Sequence, residues 1–503
     1  MLYCRRILLP SPGYYQGVTA PAERRRVTYH KVKKYYLTRG MYTRSYKGGT
    51  TVKKLLFISV AIILIAGLVL VGCSKSTTTT TAGTTASAAP HKVLKIGSVQ
   101  NLSSPMGLEP QKWLNLFAKL INDQGGWKIG SDTYDIDMII YDSAGDAAKA
   151  KSYLERLVLQ DGVKFIMGSP TGDPAIDTTV TEPNKVICLG LDVMGTSTDP
   201  AIQYYWTPNG MFFGRGLMWE MYKAMLAKGM KTYVSAKTDD MMGHATDGMC
   251  NATWAVAAPD IEYLGTVFYD PATVDFAPVA TKIKSMNPDV LDCNYAGATG
   301  LFNALYDVGY KGIILPAQVD PAMFEAVITH CGAEFMEGWQ YFLQDPRMYP
   351  DQPAEITDLL DAYTKEYGEF QSGGCMWVAY WFIFKDAVEH TKSVDVEVLK
   401  AYLDKSDHPV RTLTGWCQLF ARPDANNLRT ISGEPADFVG TVINGKQVPI
   451  QMVAIKDHYL ASIASYGLLD VYKAYWEQYG YPTYPADQKA VITYAELGIP
   501  GHD

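Results

Sequence analysis

Between Val93 and Met167 the chain reads VLKIGSV (93–99), EPQKWLNLFAKLIND (109–123), IDMIIY (136–141), AAKAKSYLERLVLQ (147–160) and VKFIM (163–167). The first, third and fifth runs are rich in valine and isoleucine and too short for helices, which is how strands buried on both faces read. The second run repeats Trp113, Leu116, Phe117, Leu120 and Ile121 at helical spacing and stops at Gln124-Gly125-Gly126, a C-terminal glycine signal. The fourth does the same with Ala150, Tyr153, Leu154, Leu157 and Val158. Strand, helix, strand, helix, strand specifies a parallel sheet with helices on both faces.

The alternation continues outward. Further strands are expected at 186–189, 232–236, 262–268, 290–294 and 312–315, with helices at 213–228, 245–257, 276–285 and 301–308. After 339–343 come helices at 354–367, 376–389 and 395–403. A strand-like, turn-rich stretch follows over 411–455, then a last helix at 468–479 before a Tyr/Pro-rich tail. These are too many units for one sheet, so the reading is α/β with two doubly wound parallel-sheet lobes.

Charge places the folded part outside the cell membrane. Residues 1–54 carry 13 lysines and arginines against the single acid Glu23, leaving 32 basic and 51 acidic residues in the remainder. A basic head, an apolar run and an acidic body form the layout of an exported protein. The acidic body offers no basic cluster for phosphates, so nucleic acid is not an expected partner. The apolar run is LLFISVAIILIAGLVLVG (55–72), between Lys53-Lys54 and Cys73. It is long for a signal peptide and just long enough to span a bilayer. Its end, Leu70-Val71-Gly72-Cys73, resembles the bacterial lipobox, which implies a lipoprotein signal peptide over 41–72 and lipidation of Cys73; the alternative is an uncleaved anchor helix. Residues 1–40 carry no usable pattern and fit a mis-assigned N-terminal extension before Met41. Residues 73–91, largely Thr, Ser and Ala, form a tether spanning roughly 20–25 Å as a random coil.

Six cysteines follow Cys73 with wide spacing and neither a CxxC pair nor a Cys/His cluster, so no metal site or other cofactor is expected from them. Cys188 and Cys293 lie in apolar strands and read as buried thiols. No GxSxG, P-loop, HExxH or dinucleotide fingerprint stands in a strand–helix context, so an enzyme is the weakest of the functional readings.

The motifs Asn122-Asp123-Gln124-Gly125-Gly126, Tyr141-Asp142-Ser143-Ala144-Gly145-Asp146, and Asp161-Gly162-Val163 leading into Phe165-Ile166-Met167-Gly168 resemble the type I periplasmic binding proteins. The nearest branch is the leucine/isoleucine/valine-binding lipoproteins of ABC transporters. The likeness runs from about Val93 to Leu403. It implies two lobes joined by a three-segment hinge, lobe one being 92–210 plus 340–465 and lobe two 211–339 plus part of the 466–503 extension. It also implies a small-molecule solute held between the lobes, delivery to a permease and ATPase, and an extracytoplasmic, lipid-anchored location. An extracytoplasmic sensor of the same fold is the second reading and an exported enzyme the third.

Open α/β sheets bind ligands beyond the carboxyl ends of their strands. On that rule and the resemblance together, the candidate ligand contacts in lobe one are Met106, then Ser169, Thr171, Gly172 and Asp173 after the third strand, then Asp192 and Val193 after the fourth. In lobe two they are Met242, Tyr295 and Gln318. Asp173 reads equally as a helix N-cap, whereas Asp192 reads as a ligand contact ahead of a bond to local backbone. His244 reads as a surface or cap histidine, and Trp377 and Trp381 as helix core. Relatives that bind leucine use hydroxyls and an acid where this chain has Gly172, Val193 and Gln318. The expected solute is therefore an amide, a cation or an aromatic molecule and not an aliphatic amino acid.

Overall fold

The computed structural model describes residues 90–192, 199–210, 214–294, 297–343, 345–350, 352–369, 374–405, 408–425, 427–435 and 437–503. Cys73 and the segments before it lie outside these residues, as do Val193 and Tyr295.

The first lobe is built on one nine-stranded sheet. Its parallel centre comprises β1 (Lys92–Gln100), β3 (Asp132–Asp142), β4 (Phe165–Met167), β5 (Ile187–Asp192) and β6 (Tyr205–Gly210), in the spatial order β3-β1-β4-β5-β6. Antiparallel β2 (Trp127–Ile129) closes one edge. At the other edge β15 (Asn427–Pro435) joins β6 in parallel, and β14 (Gly415–Arg422) and β13 (Val410–Thr412) continue antiparallel. Both faces are covered. Helices α1 (Pro105–Asp123), α9 (Ala354–Tyr367), the single turn α10 (Gly374–Trp377), α11 (Ala379–Thr391) and α12 (Val396–Leu403) pack on one, with Trp113, Phe117, Tyr363 and Trp381 buried among them. On the other, α2 (Ala147–Leu159) and α3 (Pro174–Thr181) bury Leu154, Leu157 and Val180 against Val99, Ile166 and Cys188.

The second lobe repeats the plan. Parallel β7 (Thr232–Thr238), β8 (Glu262–Tyr269), β9 (Val290–Cys293) and β10 (Ile313–Pro316) take the order β8-β7-β9-β10, matching β3-β1-β4-β5 of the first lobe. Two residues after β10 the chain resumes as β11 (Gln318–Val319), parallel to β12 (Gln340–Leu343), with β16 (Asp437–Ile443) and β17 (Lys446–Val453) antiparallel beyond it. Helices α6 (Ala277–Met286), α7 (Thr299–Asp307) and α8 (Pro321–Cys331) bury one face. Helices α4 (Arg215–Ala227), α5 (Met241–Ala257) and α13 (Ile455–Ser465) bury the other.

Sheet membership corrects one expected boundary. Residues 340–343 and 437–453, read as lobe one, hydrogen-bond to β11 and to each other in the second lobe, and α13 packs on α4 and α5. The chain therefore crosses between sheets at 211–214, at 344–353 and between β15 and β16. The C-terminal extension, with α14 (Leu469–Tyr479), lies along both lobes. Trp416 Nε1 and Gln418 Nε2 of β14 donate to Asp487 Oδ2 and the Thr483 carbonyl at 3.1 and 3.0 Å. On the other side Asp457 Oδ1 accepts the Val491 and Ile492 amides, and Lys223 pairs with Glu496 at 2.9 Å. Six cysteines are described; all are buried and none is in a disulfide.

Candidate functional site

In sheet one the chain leaves β1 toward β3 on one side and later enters β4 on the other. The connections after β1 and β4 therefore diverge, leaving a crevice at the carboxyl ends of those strands. Sheet two does the same between β7 and β9. The described candidate residues fall at these two switch points or one strand away. Met106 stands in the first turn of α1 after β1, and Ser169 to Asp173 follow β4. Asp192 ends the neighbouring β5, Met242 opens α5 after β7, and Gln318 lies just past β10, the neighbour of β9.

Local bonding separates these residues. The Ser169 hydroxyl donates to the Leu191 carbonyl at 2.7 Å, accepts the Leu191 amide at 2.8 Å and meets the Tyr205 hydroxyl at 2.8 Å, so its bonding capacity is used inside the lobe. The Thr171 hydroxyl is bound to Asp177 Oδ1 and the Asp173 carbonyl. Asp173 is the N-cap of α3, accepting the Ala175 amide at 2.9 Å. Gly172 holds φ 75° with open space where a Cβ would stand. Asp192 is buried. Met106 and Met242 are 55% and 44% exposed, Gly172 and Asp173 are exposed as well, and Gln318 is half-buried. His244 is a surface residue bonded to Asp239, and Trp381 is core.

The structure adds residues that pattern reading missed. Asp177 is fully buried, accepts both the Thr171 amide and hydroxyl, and leaves Oδ2 without a partner. Burial pushes its carboxyl up to about 7, although the Thr171 bonds pull the other way. Ser98 at the end of β1 donates to the Met167 carbonyl at 2.6 Å and accepts from Gln100 Nε2 at 2.8 Å, joining β1 to β4 at the switch point. Tyr380 at the start of α11 reaches the same place: its Cε1 lies 4.0 Å from where a Gly168 Cβ would be, and its buried hydroxyl has no partner among the described residues.

Lobe two uses an ion pair for the same junction. Lys237 on β7 and Asp292 on β9, both 0% exposed, meet at 3.1 Å. The ammonium also donates to the Asn294 carbonyl at 2.7 Å. The carboxylate accepts Tyr222 OH at 2.6 Å, Trp254 Nε1 at 2.7 Å, the Asn294 amide at 2.9 Å and Asn294 Nδ2 at 3.1 Å. Burial alone would lower the Lys237 ammonium, but Asp292 outweighs it and holds the amine above the ordinary lysine range. Burial alone would raise Asp292, yet Lys237, Tyr222 and Trp254 hold its carboxyl below the ordinary range. The pair thus fixes Asn294, the residue that leads into position 295. A charged residue inside each of two apolar strands, TYVSAKT and VLDC, is the sequence signal that would have found it. A cavity of about 630 Å³ lies elsewhere, between α1, α9 and α11, lined by Phe117, Leu120, Ile356, Trp381 and Asp386. The candidate residues follow the topology and do not line this cavity.

No described helix is long and apolar enough to cross a membrane. No curated relative matches the sequence. Among solved structures, a solute-binding protein of an ABC transporter from Rhodopseudomonas palustris BisB5, in complex with 3,4-dihydroxybenzoic acid, is similar at 13% identity and TM-score 0.57, over 72% of this chain and 97% of that one. A leucine-, isoleucine-, valine-, threonine- and alanine-binding protein from Brucella ovis, in a closed conformation, is similar at 17% identity and TM-score 0.57, over 73% and 96%. A leucine-binding protein from Thermotoga maritima aligns at 16% identity and TM-score 0.52, over 71% and 98%. At such identities these likenesses establish the fold. The family model described as periplasmic binding protein matches residues 93–429, two thirds of the sequence and both switch points. With its paired sheets and three crossings, the chain belongs to the periplasmic binding protein family.

Proposed function

We propose that the chain is the extracytoplasmic solute-binding subunit of an ABC transporter, anchored through lipidated Cys73, which captures a small solute between its lobes and delivers it to a permease. The observation that carries this reading is the repeated switch point, one in each lobe, each braced from below by buried polar residues. A rigid floor in each lobe suits a site assembled by moving two bodies together.

The proposed contacts are Met106, Ser169, Thr171, Gly172, Asp173, Asp192 and Val193 from lobe one and Met242, Tyr295 and Gln318 from lobe two, with Tyr380 added by its unpartnered hydroxyl. The solute is an amide, a cation or an aromatic molecule. Three observations support this class over an aliphatic amino acid. The Ser169 and Thr171 hydroxyls are engaged within the lobe and offer little to a carboxylate. Gln318 is neutral and would leave an ammonium unpaired, at a cost of about 3–5 kcal/mol in a closed cleft. Exposed Met106 and Met242 adapt to an irregular apolar body. The similar structures carry an aromatic acid in one case and an amino-acid-binding name in others, so the fold is compatible with either class.

Mass spectrometry of solute retained by the purified protein tests the class directly. Calorimetric titration with leucine, isoleucine and valine is expected to give nothing tighter than about millimolar, around −4 kcal/mol; micromolar binding of any of them rejects the proposed class. Intact mass of membrane-extracted protein is expected to begin at diacylated Cys73, and a chain retaining 55–72 unmodified rejects the anchor.

A further inference from the structure

We propose that Asp386, His390 and His408, on the outer side of lobe one, form a binding site for a divalent transition cation of the zinc, nickel or copper class. Asp386 and His390 are one helical turn apart on α11, so both side chains project from the same face. His408 arrives from the segment between α12 and β13, 18 residues further along the chain from His390. One ligand atom from each of the three lies within 4.8 Å of the others. Asp386 Oδ1 is 3.1 Å from His390 Nδ1, and Asp386 Oδ2 is 3.0 Å from His408 Nε2. Around a tetrahedral ion with bonds of about 2.0–2.1 Å, neighbouring ligand atoms stand roughly 3.3–3.4 Å apart. The two carboxylate–imidazole contacts therefore need to open by only a few tenths of an ångström.

The donor set selects the ion. Two imidazoles and one carboxylate without sulfur suit zinc, nickel and copper(II), whereas calcium and magnesium prefer an all-oxygen shell. Tyr402 on α12 places its hydroxyl 2.8 Å from both Asp386 Oδ2 and His408 Nε2. There it either becomes a fourth ligand or orients the carboxylate as an outer partner. His390 is exposed and His408 half-exposed, so the ion has access. A bound ion would tie α11 to the segment leading into β13 and the β14–β15 edge. Cysteine spacing gave no hint of this site, because it contains no cysteine and its third ligand is remote in sequence.

The test uses the full chain freed of metal by a chelator. Calorimetry with Zn²⁺ is expected to show one site, and Co²⁺ is expected to develop the visible bands of a four- or five-coordinate ion. His390→Ala and His408→Ala are each expected to weaken Zn²⁺ binding at least about a hundredfold, with circular dichroism unchanged because neither imidazole is buried. His408→Gln, which keeps a polar group near Tyr402, is expected to lose the metal as well; this separates ligation from simple hydrogen bonding. Absence of stoichiometric binding, or undiminished binding in the His390→Ala/His408→Ala double variant, overturns the proposal.

Discussion

Replacing Lys237 by methionine isolates the brace beneath the lobe-two switch point. The substitution keeps the length of the side chain and removes the charge, leaving the Asp292 carboxylate fully buried with four neutral donors and no cation. Stranding one partner of a buried pair costs about 3–5 kcal/mol. If lobe two, roughly 200 residues, unfolds as a unit with an entropy near 2.1 cal/mol/K per residue, the midpoint falls by about 7–12 °C. Circular dichroism melts and urea titrations read this directly. A Lys237→Met/Asp292→Asn double variant is expected to lose less than the two single variants summed, because the second change removes the stranded charge. The pH dependence carries a second check. The depressed Asp292 carboxyl contributes stability that is lost as pH falls below the ordinary carboxylate range. The raised Lys237 amine contributes stability that is lost as pH rises past the ordinary lysine range. In Lys237→Met burial is no longer opposed by a cation and raises the Asp292 carboxyl, so the gap between native protein and variant widens as pH rises above the ordinary carboxylate range and narrows again above about pH 10. A loss under about 1 kcal/mol, the range of an exposed ion pair, refutes the reasoning.

The Asp177 carboxyl, raised to about 7 by burial, binds its proton more tightly in the folded chain than in the unfolded one. Native stability relative to Asp177→Asn is therefore expected to fall as pH rises from about 4 to about 7, by up to about 4 kcal/mol; urea titrations at both ends of the window check it, and a constant gap refutes it. Gly190→Ala sets a methyl against the Tyr205 hydroxyl and 2.8 Å from Ser169 Oγ. It is expected to cost about 1–3 kcal/mol and to weaken solute binding by displacing the 168–173 loop; thermal melts and titration with the retained solute decide. Small-angle scattering with that solute at saturation is expected to show a smaller radius of gyration, and no change would indicate a rigid pocket.

Most strands and helices from β1 to β10 were legible because each is buried on one defined stripe or on both sheet faces, which leaves a 3.6-residue or continuous apolar signature; β2, β6 and α3 were not among the expected ranges. Helix α1 begins four residues before the expected Glu109, since Ser104 caps it and Pro105 stands at its start. Helix α13 was not legible. Nine of its eleven residues are buried, including Asp457 and His458, so no polar stripe marks its period. Helix α8 was passed over although Asp320 and Pro321 announce its start. The lobe boundary failed for a related reason: β12 pairs with the distant β16, Gln340 opposite Thr441, and no local pattern specifies which sheet a strand will join. At the site, position after a strand was readable, whereas the partners that occupy Ser169 and Thr171 were not. They come from Tyr205, Leu191 and Asp177, which only the fold brings near.

The C-terminal extension that touches β14 on one side and α4 and α13 on the other bears on how the two bodies can move. Three chain crossings join the lobes covalently, and Trp416, Gln418, Asp457 and Lys223 add a non-covalent tie that runs from lobe one through the extension to lobe two. Such a tie has to stretch, slide or break when the lobes move apart, so it acts as a tether on opening. Cutting those fastenings is expected to widen the range of open shapes without altering any of the proposed solute contacts.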